Sequence, residues 1–79
     1  MTKSFGLMMN IILKTLQIAH RDGVPVRIIY EGKSSITQRV IVVKSIGDDG
    51  IVAYCRLRRR ISTFKLEQIL AAELVGTGR

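Results

Sequence analysis

Between residues 5 and 21 apolar side chains return at helical spacing, with Met8, Ile11, Ile12, Leu16 and Ala19 on one face and no proline to interrupt them. The spacing predicts a helix over about 5–21. Ser4 stands where a capping side chain is expected, and Arg21-Asp22-Gly23 supplies a basic last turn and a glycine stop. Asn10, Lys14, Gln17 and Arg21 fall at spacings of four, three and four and form one narrow polar stripe. Leu7, Ile11 and Ile18 widen the apolar face on one side, and Met9 and Leu13 widen it on the other. A small sheet covers only one face of a helix, so the surplus predicts a homodimer formed through the N-terminal helix.

After Gly23 the period changes to two. Residues 24–30 read as a strand with Pro25 near its start, 31–35 as a turn, and 36–46 as a second strand. Gly47-Asp48-Asp49-Gly50 is a second turn, 51–57 a third strand, 58–60 a basic connection and 61–65 a fourth strand. Residues 66–68 suit a tight turn. Residues 69–75 suit a fifth strand, although Ala71, Ala72 and Glu73 would suit a helix equally well. The candidate inward positions are Ile28, Tyr30, Val40, Val42, Ala53, Cys55 and Phe64. The expected fold class is therefore α+β, mainly β: one helix, then a small, strongly bent antiparallel barrel of four to five strands over about 24–75, closed so that no edge is exposed. All of 1–79 is read as a single domain with a frayed tail at 76–79.

Composition narrows the function by exclusion. Hydrophobic residues make up 47% and charged residues 24%, the balance of a folded chain and not of a disordered one. A single cysteine, Cys55, excludes an internal disulfide and fits a reducing, cytoplasmic setting. The early apolar run is too short to span a bilayer, is broken by Asn10 and Lys14, and has no small-residue cleavage site after it, so neither a membrane span nor a signal peptide is expected. His20 is the only histidine, which rules out a histidine pair, a His/Cys metal cluster or a Ser-His-Asp arrangement within one chain. His20 suits a helix end, Cys55 a small core position, and Asp48 and Asp49 ordinary turn chemistry. A binding module is expected, not an enzyme, with no metal and no cofactor.

Charge supplies the positive indication. The net charge is +7, from 13 Lys and Arg against 6 Asp and Glu, and Arg56, Arg58, Arg59 and Arg60 fall within five positions, with Lys65 five residues further on. Arginine forks onto phosphate or carboxylate and stacks on bases, whereas a merely solubilising surface mixes signs and favours lysine. These five residues are the candidate ligand-binding site. Tyr30 and Tyr54 are too few and too far apart in sequence to be read as a stacking platform.

The stretch from Gly50-Ile51-Val52-Ala53-Tyr54-Cys55 through Arg56-Leu57-Arg58-Arg59-Arg60 to Ile61-Ser62-Thr63-Phe64-Lys65-Leu66-Glu67-Gln68-Ile69 resembles the core of the WYL domain. Residues 19–30 look like that family's helix-to-strand segment and Arg39-Val40 like its second strand, so the resemblance covers about 11–74. It implies an SH3-like (Sm-like) barrel preceded by a helix, of a kind usually attached to a DNA-binding helix-turn-helix in bacterial transcription regulators, where it is taken to sense nucleic acids or other anionic ligands. The chain departs from the pattern at Asp49-Gly50-Ile51, which replace the eponymous Trp-Tyr-Leu, and at Ser62 and Gln68, which replace basic residues. The arginines of 56–60 and Lys65 would then carry a shifted site. No helix-turn-helix fits before Val24, so the expected function is a stand-alone sensor module that binds single-stranded nucleic acid or a phosphorylated small molecule. The alternative is a self-associating protein-interaction module with no nucleic-acid ligand.

Overall fold

The computed structural model describes residues 2–75, with side chains from Asn10 onward. Helix α1 covers Thr2–Asp22, so Ser4, expected at its start, lies within it. It stops where Gly23 takes a left-handed φ of 68°, and the amide of Val24 then donates to the Ala19 carbonyl at 3.0 Å. Five strands follow: β1 Val26–Glu31, β2 Ile36–Ile46, β3 Gly50–Cys55, β4 Arg60–Lys65 and β5 Ile69–Leu74. A single 3₁₀ turn, Leu66–Gln68, joins the last two strands. The segment that suited strand and helix equally is thus a strand.

All pairings are antiparallel, in the order β4-β3-β2-β1-β5. Strand β2 is long enough to serve two neighbours in succession. Residues 36–41 pair with β1 and residues 41–46 with β3, so only Ile41 is flanked on both sides. A bulge between Val43 and Ser45 adds to the bend. The sheet curls until Tyr30 of β1 meets Phe64 of β4, although two strands separate them in the order.

The sheet is not a closed barrel, contrary to the closure expected from the strand pattern. Both β4 and β5 remain edges. Near the seam the Lys65 amide donates to the Tyr30 hydroxyl at 3.4 Å, and the Leu66 amide donates to the Asp49 carbonyl at 2.9 Å. The Lys65 amide, which faces away from β3, is thus satisfied by a side chain and not by a ladder with β5.

The core lies between α1 and the inner face of the sheet. Ile12, Leu16 and Ala19 meet Val26, Ile28, Ile41, Val43, Ile51, Ala53, Cys55, Phe64 and Ile69, all buried. Tyr30 packs against this cluster. On β2 the inward residues are Ile41 and Val43, not Val40 and Val42, which are half-buried on the outer face. The first hairpin turn pairs Glu31 with Ile36 and therefore sets Arg39 opposite Ile28 and Ile41 opposite Val26, which turns the odd positions inward. Along α1 the polar stripe is exposed, Leu13 and Ile18 are half-buried, and Ile11 is 60% exposed. The side chains of Leu7, Met8 and Met9 lie outside the described residues.

Candidate anion-binding site

Strand β3 ends at Cys55, two residues before its expected limit, and the chain reverses through residues 56–59 to resume as β4 at Arg60, opposite Cys55. The Arg59 amide donates to the Cys55 carbonyl at 2.7 Å and closes the turn. To do so, Arg59 adopts φ 59°, making it the only non-glycine with positive φ among the described residues. That conformation costs a side-chain-bearing residue roughly 1 kcal/mol and is where glycine or asparagine is usual. Arg56, Arg58, Arg59 and Arg60 are all exposed, so one hairpin end presents four guanidinium groups. Leu57, 72% exposed, stands among them.

The Cys55 side chain braces the base of this turn from inside. Burial pushes its thiol up, but the backbone amides of Arg58 and Leu57 and the Arg39 guanidinium all favour the thiolate, and the net effect is a pKa lowered from the ordinary thiol value. Arg39 Nη1 is 3.7 Å from the sulfur, and Arg39 Nε donates to Thr37 Oγ1 at 3.3 Å. Arg39 is thus a fifth guanidinium at the foot of the turn, reached from β2, and the run of arginines in the sequence does not reveal it. Its signal is the series Thr37, Arg39, Ile41, Val43, which alternates on the inner face once the hairpin register is known. An arginine is tolerated there because β3 stops opposite Ile41, leaving Arg39 beside the turn and not beneath another strand.

Lys65 is placed elsewhere. It stands at the far end of β4, opposite Gly50, five residues from Arg60 and so roughly 16 Å away at the usual rise of a strand. The structure gathers the four arginines and separates them from Lys65. The two positions where the resemblance implies a base also have assignable places. Ser62 lies mid-strand opposite Ala53. Gln68 clamps the seam: its Oε1 accepts from the Tyr30 hydroxyl at 2.9 Å, and its Nε2 donates to the Glu31 carbonyl at 3.0 Å.

Tyr54, on the outer face opposite both Val42 and Ile61, lies two residues from Arg56, whose amide donates to the Val40 carbonyl at 3.1 Å. Asp48 and Asp49 lie in an exposed turn closed by the Gly47 amide donating to the Gly50 carbonyl at 2.8 Å. Among the described residues no three His, Cys, Asp or Glu side chains gather as metal ligands. No described helix is long and apolar enough to cross a membrane.

The fold has a solved counterpart. The chain is similar to part of proteasome accessory factor B/C (PafBC) of Arthrobacter aurescens, with a TM-score of 0.73 and 20% sequence identity. The likeness covers 89% of this chain but only 12% of PafBC. At that identity PafBC shares the fold, a helix leading into a bent five-stranded antiparallel sheet, and its other properties do not carry over with it. No family model matches the chain, and no curated protein matches it.

Proposed function

We propose that the chain is a WYL-like sensor module, a binding protein and not an enzyme, that takes a phosphate-bearing ligand at the turn between β3 and β4. Single-stranded nucleic acid and phosphorylated small molecules share the chemistry this turn would recognise. The observation that carries the reading is the arginine turn itself: four exposed guanidinium groups on one reversal, one of them held in a backbone conformation that arginine disfavours. Strain of this kind persists where the surroundings enforce it, and it clusters at ligand clamps. Planar guanidinium groups fork onto phosphate oxygens, and Arg39 adds a further charge at the turn's base. The long-range field of a chain with net charge +7 would steer an anion toward any such site. The regulatory role is what the WYL resemblance implies, and the likeness to PafBC supports the fold implied with it.

Titration with a labelled single-stranded oligonucleotide and with a nucleoside triphosphate, each at two salt concentrations, tests the reading. Binding that weakens steeply with salt is expected for the oligonucleotide. Binding of neither ligand by the folded protein would overturn it. A second reading, a self-associating interaction module, is favoured by a specific surface at the opposite edge of the sheet.

A further inference from the structure

The two edges of the sheet differ in a way that bears on assembly. In the pairing of β1 with β5, the Val75 amide donates to the Pro25 carbonyl at 2.9 Å, and Val26 lies opposite Leu74 and Ile28 opposite Ala72. Antiparallel ladders alternate, so the amide and carbonyl groups of Ala72 and Leu74 face away from β1. No strand lies beyond them among the described residues. The β4 edge is blunted. It carries a basic residue at each end, Arg60 and Lys65, and the outward amide of Lys65 is taken up by the Tyr30 hydroxyl. The β5 edge carries no basic residue, and only a bulge at Leu70, which has no partner in β1, interrupts it. Its sequence, Ile-Leu-Ala-Ala-Glu-Leu, holds one charge, Glu73, and that carboxylate is engaged by Arg27 at 3.4 Å.

Beside this edge lies an open apolar cleft of about 220 Å³, lined by Ile11 and Ile12 of α1 and by Leu70, Ala71 and Ala72 of β5. Ile11 is 60% and Leu70 37% exposed. Unpaired backbone and apolar surface therefore coincide at one place, on a chain whose charge of +7 opposes contact between two copies almost everywhere else.

We propose that two copies of this chain pair antiparallel through β5, about a two-fold axis at Ala72, to form one continuous sheet of ten strands. Alternation about that axis sets Leu74 of one protomer opposite Leu70 of its partner, and the two clefts lie next to each other across the seam. Six residues of strand edge alone bury well under the roughly 800 Å² per partner of a stable interface, so the cleft and its helix wall supply the rest. The arrangement also puts the two arginine turns, next to β4, on the far sides of the assembly, where their charges repel least. It does not depend on what the arginines bind.

Light scattering or sedimentation on the intact protein at micromolar concentration reads the mass directly. A value twice 8.8 kDa is expected. Leu70→Lys places a charge at the exposed edge and Ala72→Pro removes an amide that no strand of the same chain uses, so each should yield a folded monomer. Thr63→Pro, at the corresponding outward position of β4, should leave the dimer intact. A monomeric parent protein overturns the proposal. So does a dimer that survives Leu70→Lys, or a larger ring broken by Thr63→Pro, which would mean pairing of β4 with β5. Should Ala72→Pro fail to fold, Leu70→Lys, at an exposed position outside the core cluster, decides alone.

Discussion

The rings of Tyr30 and Phe64 meet edge to face, with centroids 5.0 Å apart and planes at 88°, and they join strands that are not paired in the ladder. The contact holds the curl of the sheet, and the Tyr30 hydroxyl extends it to Gln68 and to the Lys65 amide. Phe64→Ala should cost about 3–5 kcal/mol, comparable to the whole stability of a small domain, and leave the chain largely unfolded by circular dichroism. Tyr30→Phe keeps the rings and removes only the hydroxyl bonds. Urea denaturation should show a destabilisation of about 1 kcal/mol.

Inner and outer positions on β2 can be told apart by mutation. Ile41 is fully buried, whereas Val40 and Val42 are half-buried on the outer face. Ile41→Ala should cost about 2–5 kcal/mol, and Val42→Ala clearly less. Equal destabilisation on chemical denaturation would mean that the face assignment of β2 is wrong.

For the arginine turn the readout is the salt dependence of oligonucleotide binding. Replacing Arg58, Arg59 and Arg60 together by Ala should weaken binding and flatten the slope by roughly 0.7 for each phosphate of the single strand that is no longer neutralised. Lys65→Ala, at the other end of β4, should leave the slope nearly unchanged. Stability should move by no more than about 0.5 kcal/mol in Lys65→Ala, an exposed position.

Arg59 invites a substitution with opposed effects. Arg59→Gly relieves the left-handed backbone and should raise stability by roughly 0.5–1 kcal/mol while lowering affinity for the anionic ligand. Thermal melting and the titration, done on the same preparation, check both directions.

The Cys55 thiol gives a pH signature. Its pKa in the folded protein is lowered, so its contribution to stability is fully present above the thiol value of the unfolded chain, roughly 8.5, and is lost as pH falls through the lower folded value. Between those limits stability should rise with pH. Thiolate absorbance should titrate at lower pH in the folded protein than in urea, and Arg39→Ala should move the folded midpoint upward.

The helix and the first two hairpins are legible in the sequence because local chemistry marks their limits: Gly23 stops α1, and turns rich in Gly, Ser and Asp separate β1 from β2 and β2 from β3, whereas the Arg-Leu turn after β3 carries no such mark and the strand ends two residues early. The phase of β2 is not, since Val40-Ile41-Val42-Val43 contains no polar residue to break the tie and only the register across the first turn decides it. Residues 69–74 are ambiguous for a related reason. Alanine and glutamate favour a helix, and pairing with β1, about forty residues earlier in the chain, overrides them. Within the candidate site the clustering of four arginines can be read directly, because a hairpin end keeps sequence neighbours together. Arg39 cannot, since it reaches Cys55 only through the pairing of β2 with β3.

Strand β2 also shapes how the chain must assemble. Three hairpins, β1 with β2, β2 with β3 and β3 with β4, close over turns of four or three residues and need little search. Strand β5 has no such local partner. Its pairing with β1 closes a loop that contains all the intervening strands, at an entropic cost that the short hairpins do not carry. The strand that closes the longest loop is thus also an edge strand. In the interval before docking, β1 offers its own free edge to any β5 at hand, including that of a neighbouring molecule, so the same topology that orders folding also gives two nascent chains a way to exchange strands.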